Sequence, residues 1–216
     1  MRFENTEVFG FKAALRGMRN PYDSWDRSDS TIDIPNNDVT IEHIVIGPND
    51  MELAQKLIHG GAPHFKFLRQ IAVWVDIDAP LYWWSEADTY KVGTVADSCS
   101  TMHMLGKKPF DETMFETRYM DAAEIAEILV KLNKVQEEYI HYRDNKDNAG
   151  IQLCHRKLKA LLPTSYLQKR TWSANYAILR NMYYWRKGHR LSEWNTDFVE
   201  WVKTLPYAEE FILFEN

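Results

Sequence analysis

Residues 68–77, LRQIAVWVDI, alternate between strongly apolar positions and smaller or more polar ones. A repeat of two residues is typical of a β-strand, because successive side chains point to opposite faces of the sheet. Pro80 follows soon after, and it begins a short helix that carries Trp83 and Trp84. The pattern therefore predicts a strand that leads directly into an aromatic helix. The alternating apolar residues are Ile71, Val73, Val75 and Ile77.

The other elements follow from helical spacing of apolar residues and from turn signals. The segment GPND is expected to open a helix with Asn49 or Asp50 as its cap, and GGAP ends that helix. Ser192 is the expected cap of the last helix. Further expected elements are a helix around 11–18, a turn-rich loop over 20–37, a strand around 39–46, and helices over 121–143, 150–162, 173–187 and 192–204, the last burying Trp194, Phe198, Trp201 and Val202.

These elements make a mixed α/β (α+β) fold with few strands and much helix. A chain of 216 residues has the size of one domain, and 45% hydrophobic residues are enough for a sizeable core. No apolar run is long enough for a membrane span and no signal peptide is recognisable, so we expect a cytoplasmic protein. Cys99 and Cys154 form no CxxC pair and are expected to be reduced thiols.

The net charge of −5 argues against nucleic-acid binding, which depends on attraction to a polyanion. Basic residues are nevertheless concentrated in the C-terminal third, between Arg156 and Arg190. In an acidic protein this concentration suits a small anionic ligand or an acidic partner subunit. Solvated helix faces are the alternative explanation for any single one of these residues.

A segment of small polar residues, ADTYKVGTVADSCSTMHML, occupies 87–105. It has no metal-binding pattern, because Cys99 and His103 supply two ligands whereas structural zinc usually takes four. His59 and His64 are interrupted by GGAP and do not form a metal site either. No glycine-rich loop in the chain has dinucleotide or P-loop spacing. The composition of this polar stretch therefore needs another explanation.

Two segments on either side of the polar stretch resemble the flavin-dependent thymidylate synthase family, also called ThyX or thymidylate synthase complementing proteins. HGGAPHFKFLRQIAVWVDIDAP is similar to the family's His-x-Thr/Ser-Pro-Phe-Glu-His segment, and counting back from Ala79-Pro80 places the family's flavin-contacting His on His64. LKALLPTSYLQKRTWSANYAILRNMYYWR is similar to the family's Ala-Arg-x-x-Leu-Pro, Trp-Thr-x-Asn and Asn-Phe-Leu-x-Leu-Arg segments. The residues in register there are Lys159, Pro163, Trp172, Asn175, Asn181 and Arg186.

The polar stretch lies where the family carries Arg-His-Arg, seven residues and a Ser, and here the chain departs from the family. The arginines are replaced by hydroxyl groups or a point charge, which hold a phosphate less well than a planar guanidinium fork. The family lines its ligand pocket with this stretch, and that resemblance explains the small polar residues. The replaced positions are Thr89, Tyr90, Lys91, Asp97, Cys99 and Thr101.

The resemblance implies a ThyX-like single domain with a small, mostly antiparallel sheet and many helices. It implies FAD as the cofactor and NADPH and methylenetetrahydrofolate as co-substrates. The implied reaction transfers a one-carbon unit to a pyrimidine nucleotide, deoxyuridine monophosphate (dUMP) or a related one, without an obligatory protein nucleophile. It also implies a homotetramer with shared active sites, which the many aromatic residues favour because aromatics are enriched at subunit interfaces.

The site residues that the resemblance implies fall into a cofactor set and a substrate set, and no catalytic residue or metal ligand is assigned. Simpler interpretations remain open: Cys99 as a small pocket-filling residue, His64 as a turn residue, and an Asn within the helix over 173–187 as a solvated or capping residue. The cofactor set is His64, Thr89, Tyr90, Lys91, Asp97, Asn175 and Asn181. The substrate set is Glu86, Cys99, Thr101, Lys159 and Arg186.

Two functions are consistent with this pattern. The retained asparagines and Arg186 favour a flavin-dependent enzyme with an altered substrate. The lost arginines favour a binding protein that keeps the fold and has no catalytic activity. Flavin binding separates the two in part, because a chain that takes up no FAD does not perform the chemistry of the family.

Overall fold

The computed structural model describes residues 1–33 and 43–215. Helix makes up 54% of the chain, and the fold combines helices with an antiparallel sheet, so the predicted fold class is confirmed. In the described part of the chain no helix has the length and apolar character that crossing a membrane requires. The strands are β1 Arg2–Phe9, β2 Thr31–Asp33, β3 His43–Val45, β4 Ala72–Pro80, β5 Val95–Ser98 and β6 Leu167–Asn175.

Strands β1, β4, β6 and β5 form a four-stranded sheet in that order, and β2 pairs with β3 as an antiparallel hairpin. The strand expected around 39–46 is confirmed at β3, while 39–42 lie outside the described residues. The α-helices are α1 Phe11–Arg19, α2 Pro48–His59, α3 Leu81–Ala87, α4 Thr101–Met104, α5 Ala122–Asp144, α6 Asn148–Leu161, α7 Tyr176–Arg186, α8 Val199–Lys203 and α9 Ala208–Phe211.

The chain divides into two compact units, which are described separately. The first unit contains Ile77–Thr89 and Asp97–Arg170, together with Met1. The second unit contains the ranges Arg2–Asp76, Tyr90–Ala96 and Thr171–Asn216. The expectation of a single domain stays a prediction.

The first unit is built around helices α5 and α6, which pack on each other. Helix α5 begins as predicted, because Asp121 and Glu124 form a capping box in which each side chain accepts from the other's backbone N–H. The carboxylate of Asp147 caps α6 in the same unit. Apolar residues from both helices and from the preceding loop form its core, namely Leu105, Phe110, Phe115, Ile125, Leu132, Val135, Tyr139, Cys154 and Leu158.

The core of the second unit contains a cluster of aromatic rings. Phe11 of α1 makes an edge contact with Tyr176, with ring centroids 5.6 Å apart, and Phe211 packs edge-on against Phe67 at 5.8 Å. The alternating residues of β4 are buried as the strand pattern predicts, whereas Trp74 between them is 41% exposed. Strand β4 starts four residues later than the pattern indicated, because 65–70 form 3₁₀ turns.

The expected cap of α2 is wrong. Gly47 precedes the helix and has no side chain, and Asp50 lies inside the first turn. The carboxylate of Asp29 accepts from the backbone N–H of Asn49 at 3.0 Å and of Asp50 at 3.1 Å. The capping group is therefore supplied from a distant loop rather than from the helix's own sequence.

The predicted helix over 173–187 starts three residues before the observed one. Residues up to Asn175 are extended and belong to β6, in which Gln168, Trp172 and Ala174 are buried. Helix α7 begins only at Tyr176. The buried alternating positions of β6 include the polar Gln168, so the sequence has no clean period-two apolar pattern that separates the strand from the helix after it.

The last helical segment contains a wide turn. Glu193–Phe198 is a π-helix that continues into α8, and Ser192 makes no side-chain cap. The predicted burial of Trp194, Phe198, Trp201 and Val202 is confirmed. Trp201 stacks on Phe3 of β1, with ring centroids 4.8 Å apart and an interplanar angle of 7°, and its indole N–H donates to Thr6 at 3.1 Å.

Candidate functional site

Three segments that are far apart in the sequence line one cavity of the second unit, with a volume of about 410 Å³. One segment follows α2, one belongs to the polar stretch, and one is the start of α7. We call this space the amide cavity, because two asparagines lie on its wall. Its lining residues are Ala62, Phe65, Arg69, Val92, Gly93, Asn175, Ala177, Ile178 and Asn181.

Asn175 is held in place by the helix that it precedes. Its backbone is extended, with φ −136° and ψ 166°, and its Oδ1 accepts from the backbone N–H of Ile178 at 3.1 Å. This is the N-cap geometry that asparagine favours. Asn175 therefore lies at the end of β6 and caps α7, and the expectation that it lies within a helix is wrong. The interpretation of Asn175 as a capping residue is confirmed, and capping leaves its amide nitrogen for another role.

Asn181 lies on the exposed side of α7, one and a half turns further on. Its Oδ1 accepts from the indole N–H of Trp185 at 3.2 Å. An indole and a backbone amide are donors only, so the oxygen atoms of both asparagines are assigned by their partners. The Nδ2 groups of Asn175 and Asn181 donate to none of the described residues. The cavity therefore offers N–H donors and suits a ligand with carbonyl or ring-nitrogen acceptors.

Gly93 lies where the polar stretch packs against the start of α7 in the cavity wall. Its φ is +82°, and a Cβ placed on it would lie 2.6 Å from Cδ1 of Ile178 and 3.6 Å from Nδ2 of Asn175. Only glycine adopts this backbone conformation without strain and allows such a close approach. The backbone of the polar stretch can therefore pack directly against the start of α7.

The electrostatic character of the amide cavity is positive. Arg69 contributes a guanidinium group, and the first turn of α7 lines the wall with Ala177 and Ile178. The first turn of an α-helix carries a partial positive charge from its unsatisfied N–H groups. An anionic group is accordingly favoured at this end of the cavity.

Two predicted cofactor residues lie next to the cavity wall in the sequence but do not line it. His64 is exposed and directly precedes Phe65, and its backbone N–H donates to the carbonyl of Gly61 at 2.9 Å. Its ring packs against Gly60. Lys91 is exposed and directly precedes Val92. The turn interpretation of His64 is thus consistent with the backbone that the structure shows.

Tyr90 and Arg186 form a separate group in the second unit. Nε of Arg186 donates to the hydroxyl of Tyr90 at 3.1 Å. The guanidinium carbon also lies 4.4 Å from the ring centroid of Trp194 and 5.4 Å from that of Tyr90. Cation–π contacts of this kind hold an arginine side chain in one orientation.

A second cavity, in the first unit, contains one predicted substrate residue. It has a volume of about 710 Å³ and lies along α6, and we call it the α6 cavity. Lys159 lines it and donates to the hydroxyl of Thr101, so two predicted substrate residues are brought together. An apolar floor and cationic groups suit an amphipathic anion. The lining residues are Met102, Ile151, Gln152, His155, Arg156, Lys159 and Ala160.

The other predicted residues of the first unit do not line the α6 cavity. The hydroxyl of Thr89 donates to the carbonyl of Glu86 at 2.7 Å, next to the end of α3. Asp97 is exposed on β5. Cys99 is exposed too, and its carbonyl accepts from the side chain of Gln168 at 2.8 Å. The Thr89 hydroxyl and the Cys99 carbonyl therefore form hydrogen bonds within the first unit.

Sequence reasoning missed two arginines and a glycine. Arg69 and Gly93 line the amide cavity, although the family motifs assign neither position. Arg170 lies 4.2 Å above the ring of Trp84 and forms a salt bridge with Asp88 at 2.8 Å. The sequence carried no specific signal for Arg69, which lies in the 3₁₀ turns that precede β4. Among residues 1–33 and 43–215, no three His, Cys, Asp or Glu side chains are grouped to hold a metal ion.

The fold is similar to that of two solved structures. The flavin dependent thymidylate synthase ThyX from Helicobacter pylori, complexed with FAD and dUMP, superposes with a TM-score of 0.69 over 98% of this chain and 98% of that one, at 16% sequence identity. A second structure, thymidylate synthase X from Helicobacter pylori with FAD and dUMP, gives a TM-score of 0.69 and 16% identity over 98% and 97% of the chains. Neither a protein-family model nor a curated protein matches the sequence. At this identity the likeness shows the fold alone.

Proposed function

We propose that this protein is a flavin-dependent thymidylate synthase-like enzyme that binds FAD in the amide cavity and transfers a one-carbon unit to a pyrimidine nucleotide, dUMP or a related one. One observation carries the proposal. All three segments of the family resemblance contribute residues to this single cavity, although they lie more than 100 residues apart at their extremes, from Ala62 to Asn181. The ThyX structures of similar fold from Helicobacter pylori contain FAD and dUMP.

The residues of the amide cavity fit a flavin. The Nδ2 groups of Asn175 and Asn181 match the carbonyl and nitrogen acceptors along the edge of a flavin ring. Phe65, Val92 and Ile178 supply apolar contacts for the faces of such a ring. FAD, when bound, supplies hydride transfer, while the protein binds and orients it.

The diphosphate of FAD carries negative charge, and the amide cavity has groups that compensate it. Arg69 offers a planar guanidinium fork, and the N-terminal turn of α7 offers the partial positive charge of a helix start, while its Tyr176 and Ile178 N–H groups already donate to Ile71 and Asn175. These groups stand in for the arginines that the polar stretch lacks. We therefore include Arg69 in the proposed cofactor site beside the predicted residues Asn175 and Asn181.

The α6 cavity is the proposed place for the nucleotide phosphate. Lys159 and Arg156 supply positive charge there, and Met102 and Ile151 supply apolar surface. NADPH and methylenetetrahydrofolate are the proposed co-substrates, and a cytoplasmic homotetramer with shared active sites is the proposed assembly. These parts of the proposal follow from the family resemblance.

Calorimetric titration with FAD, together with the absorbance spectrum of the purified protein, tests the proposal. We expect a yellow protein or stoichiometric uptake of added FAD, and we expect Asn181→Ala to weaken this uptake. Asn145→Ala, which changes an exposed asparagine of the first unit, is the matched control. A colourless protein that takes up no FAD contradicts the proposal.

A catalytically inactive binding protein is the second candidate, and one observation favours it. None of Thr89, Lys91 and Thr101 offers a guanidinium, and the Thr89 hydroxyl is already engaged by Glu86. Formation of thymidylate from dUMP, methylenetetrahydrofolate and NADPH separates the candidates. FAD binding without product, with product appearing in the Thr89→Arg, Lys91→Arg, Thr101→Arg variant, identifies the inactive protein.

A further inference from the structure

A buried ion pair joins α1 to the first turn of α2. Nε of Arg19 lies 2.6 Å from Oδ1 of Asp50, and the two residues are 3% and 0% exposed. The other carboxylate oxygen, Oδ2, accepts from the hydroxyl groups of Ser28 at 2.7 Å and Ser30 at 2.6 Å. The charge of Asp50 is therefore shared among several donors, of which Arg19 is only one.

The guanidinium of Arg19 keeps an unused donor. Nη1 donates to the carbonyl of Ser24 at 3.2 Å and to its hydroxyl at 3.4 Å. Nη2 is buried and has no hydrogen-bond acceptor among residues 1–33 and 43–215. A buried N–H of a charged group is costly to leave unpaired, and native proteins rarely do so without a ligand, an ion or a water.

A cavity of about 270 Å³ lies beside this arginine. Besides Arg19 and Ser24, it is lined by Tyr22 and by two exposed cations, Arg27 and Lys56. Arg27 and Lys56 form no ion pair with any residue in 1–33 or 43–215. Three cationic side chains thus surround a small space. The carboxylate of Asp50, which pairs with Arg19, is itself buried.

We propose that this cavity, between α1 and α2, binds the phosphate group of a small, hydroxyl-bearing phosphomonoester. Arg27 and Lys56 hold the phosphate oxygens, and the buried guanidinium of Arg19 adds its positive charge from the cavity wall. The cavity is slightly smaller than the range of about 300–1,000 Å³ that is typical of sites for drug-sized ligands, so a compact molecule fits it better than a dinucleotide.

The carboxylate of Glu52 determines the kind of phosphate ester. Glu52 is exposed and also lines the cavity, and it forms no ion pair with the described residues. A carboxylate repels a bare anion but accepts hydrogen bonds from hydroxyl groups. A polyol or sugar phosphate presents both groups, with its phosphate towards Arg27 and Lys56 and its hydroxyl groups towards Glu52.

The same arginine also lines a further cavity. That space has a volume of about 230 Å³ and is lined by Arg19 together with Lys12, Arg16 and Trp25. Lys12 and Arg16 extend the positive field around Arg19. An anion at the phosphate cavity is therefore favoured by a wider set of charges than its own lining.

Calorimetric titration of the full chain in phosphate-free buffer tests the proposal with two probes, inorganic phosphate and glycerol 3-phosphate. We expect saturable binding of one molecule per chain, tighter for glycerol 3-phosphate. Arg27→Gln and Lys56→Gln should each weaken both probes about tenfold or more, since charge-assisted hydrogen bonds are of this size. Both positions are exposed, so these variants are expected to fold.

Controls separate this site from charge effects and from the flavin site. Lys131→Gln removes an exposed lysine of α5 and should leave both titrations unchanged. Glu52→Gln should weaken glycerol 3-phosphate without weakening inorganic phosphate. Asn175→Asp should leave phosphate binding intact. Binding that does not saturate, or that Lys131→Gln weakens as much as Arg27→Gln does, overturns the proposal and leaves a buried water as the partner of Arg19.

Discussion

Nε of Arg186 donates to the hydroxyl of Tyr90 over 3.1 Å, and the same guanidinium lies over the ring of Trp194. In the sequence resemblance, Tyr90 lies at a position where the chain departs from the thymidylate synthase signature, and Arg186 lies at one where it agrees. Arg186 thus has contacts within its own unit as well as its expected role towards an anion.

Arg186→Ala should therefore lower both ligand affinity and stability. Loss of a hydrogen bond to a charged group predicts a decrease of about 1.5–3 kcal/mol in the binding free energy of FAD or of a nucleotide. The lost contacts to Tyr90 and Trp194 predict a lower free energy of unfolding as well. Calorimetry and urea denaturation measure the two effects.

Tyr90→Phe is the matched control for this prediction. It keeps the ring under the guanidinium and removes only the hydroxyl, so the unfolding free energy should fall by about 0.5–1.5 kcal/mol while ligand affinity stays close to that of the wild type. An Arg186→Ala protein with reduced stability and unchanged ligand binding would assign Arg186 a structural role alone.

Asn175→Asp should separate capping from ligand binding. Aspartate caps a helix about as well as asparagine does, so the unfolding free energy should change little. The substitution replaces the Nδ2 donor with a negatively charged oxygen, which repels acceptors and phosphates, so FAD affinity should fall at least about tenfold. Asn175→Ala should lose both properties, with a capping loss of about 0.5–2 kcal/mol. Unchanged FAD affinity in the Asp variant would remove Asn175 from the cofactor site.

Gly93→Ala should destabilise the second unit for two reasons. Its φ of +82° is unfavourable for alanine, and the new Cβ would lie 2.6 Å from Cδ1 of Ile178. Gly61→Ala is the control, because Gly61 has a φ of +84° and no atom within 4 Å of its Cβ position. We expect Gly61→Ala to cost about 1–2 kcal/mol from the backbone alone. Gly93→Ala should cost about 1–3 kcal/mol more, since overpacking adds that amount.

A second variant tests whether the clash with Cδ1 of Ile178 causes the additional loss of stability in Gly93→Ala. Ile178→Val lacks Cδ1, so the double variant with Gly93→Ala should recover part of the additional loss, as a double-mutant cycle in urea denaturation would show. Equal losses in the Gly61 and Gly93 variants would mean that Gly93 is required for its conformation only.

Asp50 should make stability depend on acid pH. Burial raises the pKa of Asp50, but hydrogen bonds from Ser30, Ser28 and Arg19, with the charge of that arginine, together lower it below the ordinary value. The unfolded chain therefore binds a proton more readily than the folded one, and this contribution to stability is present above a pH of about 4. It is lost as the pH falls from there through the lowered pKa.

Asp50→Asn should accordingly be less stable at neutral pH and should lose less stability than the wild type between neutral pH and acid. Thermal unfolding across this range measures the difference. Asp144→Asn, at an exposed salt bridge with Arg143, is the control and should follow the wild-type curve. An Asp50→Asn protein with the same acid dependence as the wild type would show that other carboxyl groups determine it.

Elements with a local signal could be predicted from the sequence. The alternation that ends at Ile77 and the helical spacing of apolar residues over 121–143 lie within the elements that they define, and both predictions are confirmed. The cap of α2 had no such signal, because Asp29 supplies it from 21 residues away in the chain. Strand β6 had no clean apolar alternation, because its buried positions include Gln168, so its boundary at Asn175 could not be predicted from the sequence.

The residues of the candidate site likewise divide into those that a sequence motif indicates and those that only the folded chain brings together. Asn175 and Asn181 could be assigned through a family motif, and the structure places them on one cavity wall. Arg69 and Gly93 belong to no motif, and they meet the asparagines only because the chain folds back. Nη2 of Arg19 has no acceptor among the described residues, while one carboxylate oxygen of Asp50 accepts from the hydroxyl groups of Ser28 and Ser30. No spacing in the sequence indicates this arrangement.

The π-helix at Glu193–Phe198 limits which insertions and deletions this chain tolerates. A π turn holds one residue more than an α turn, so it advances every later side chain by roughly 100° around the helix axis. With that advance, Trp201 contacts Phe3 and Thr6. Deleting one residue between Ser192 and Phe198 would restore a regular helix and turn the Trp201 indole away from β1. The length of this segment is therefore as strongly constrained as its composition.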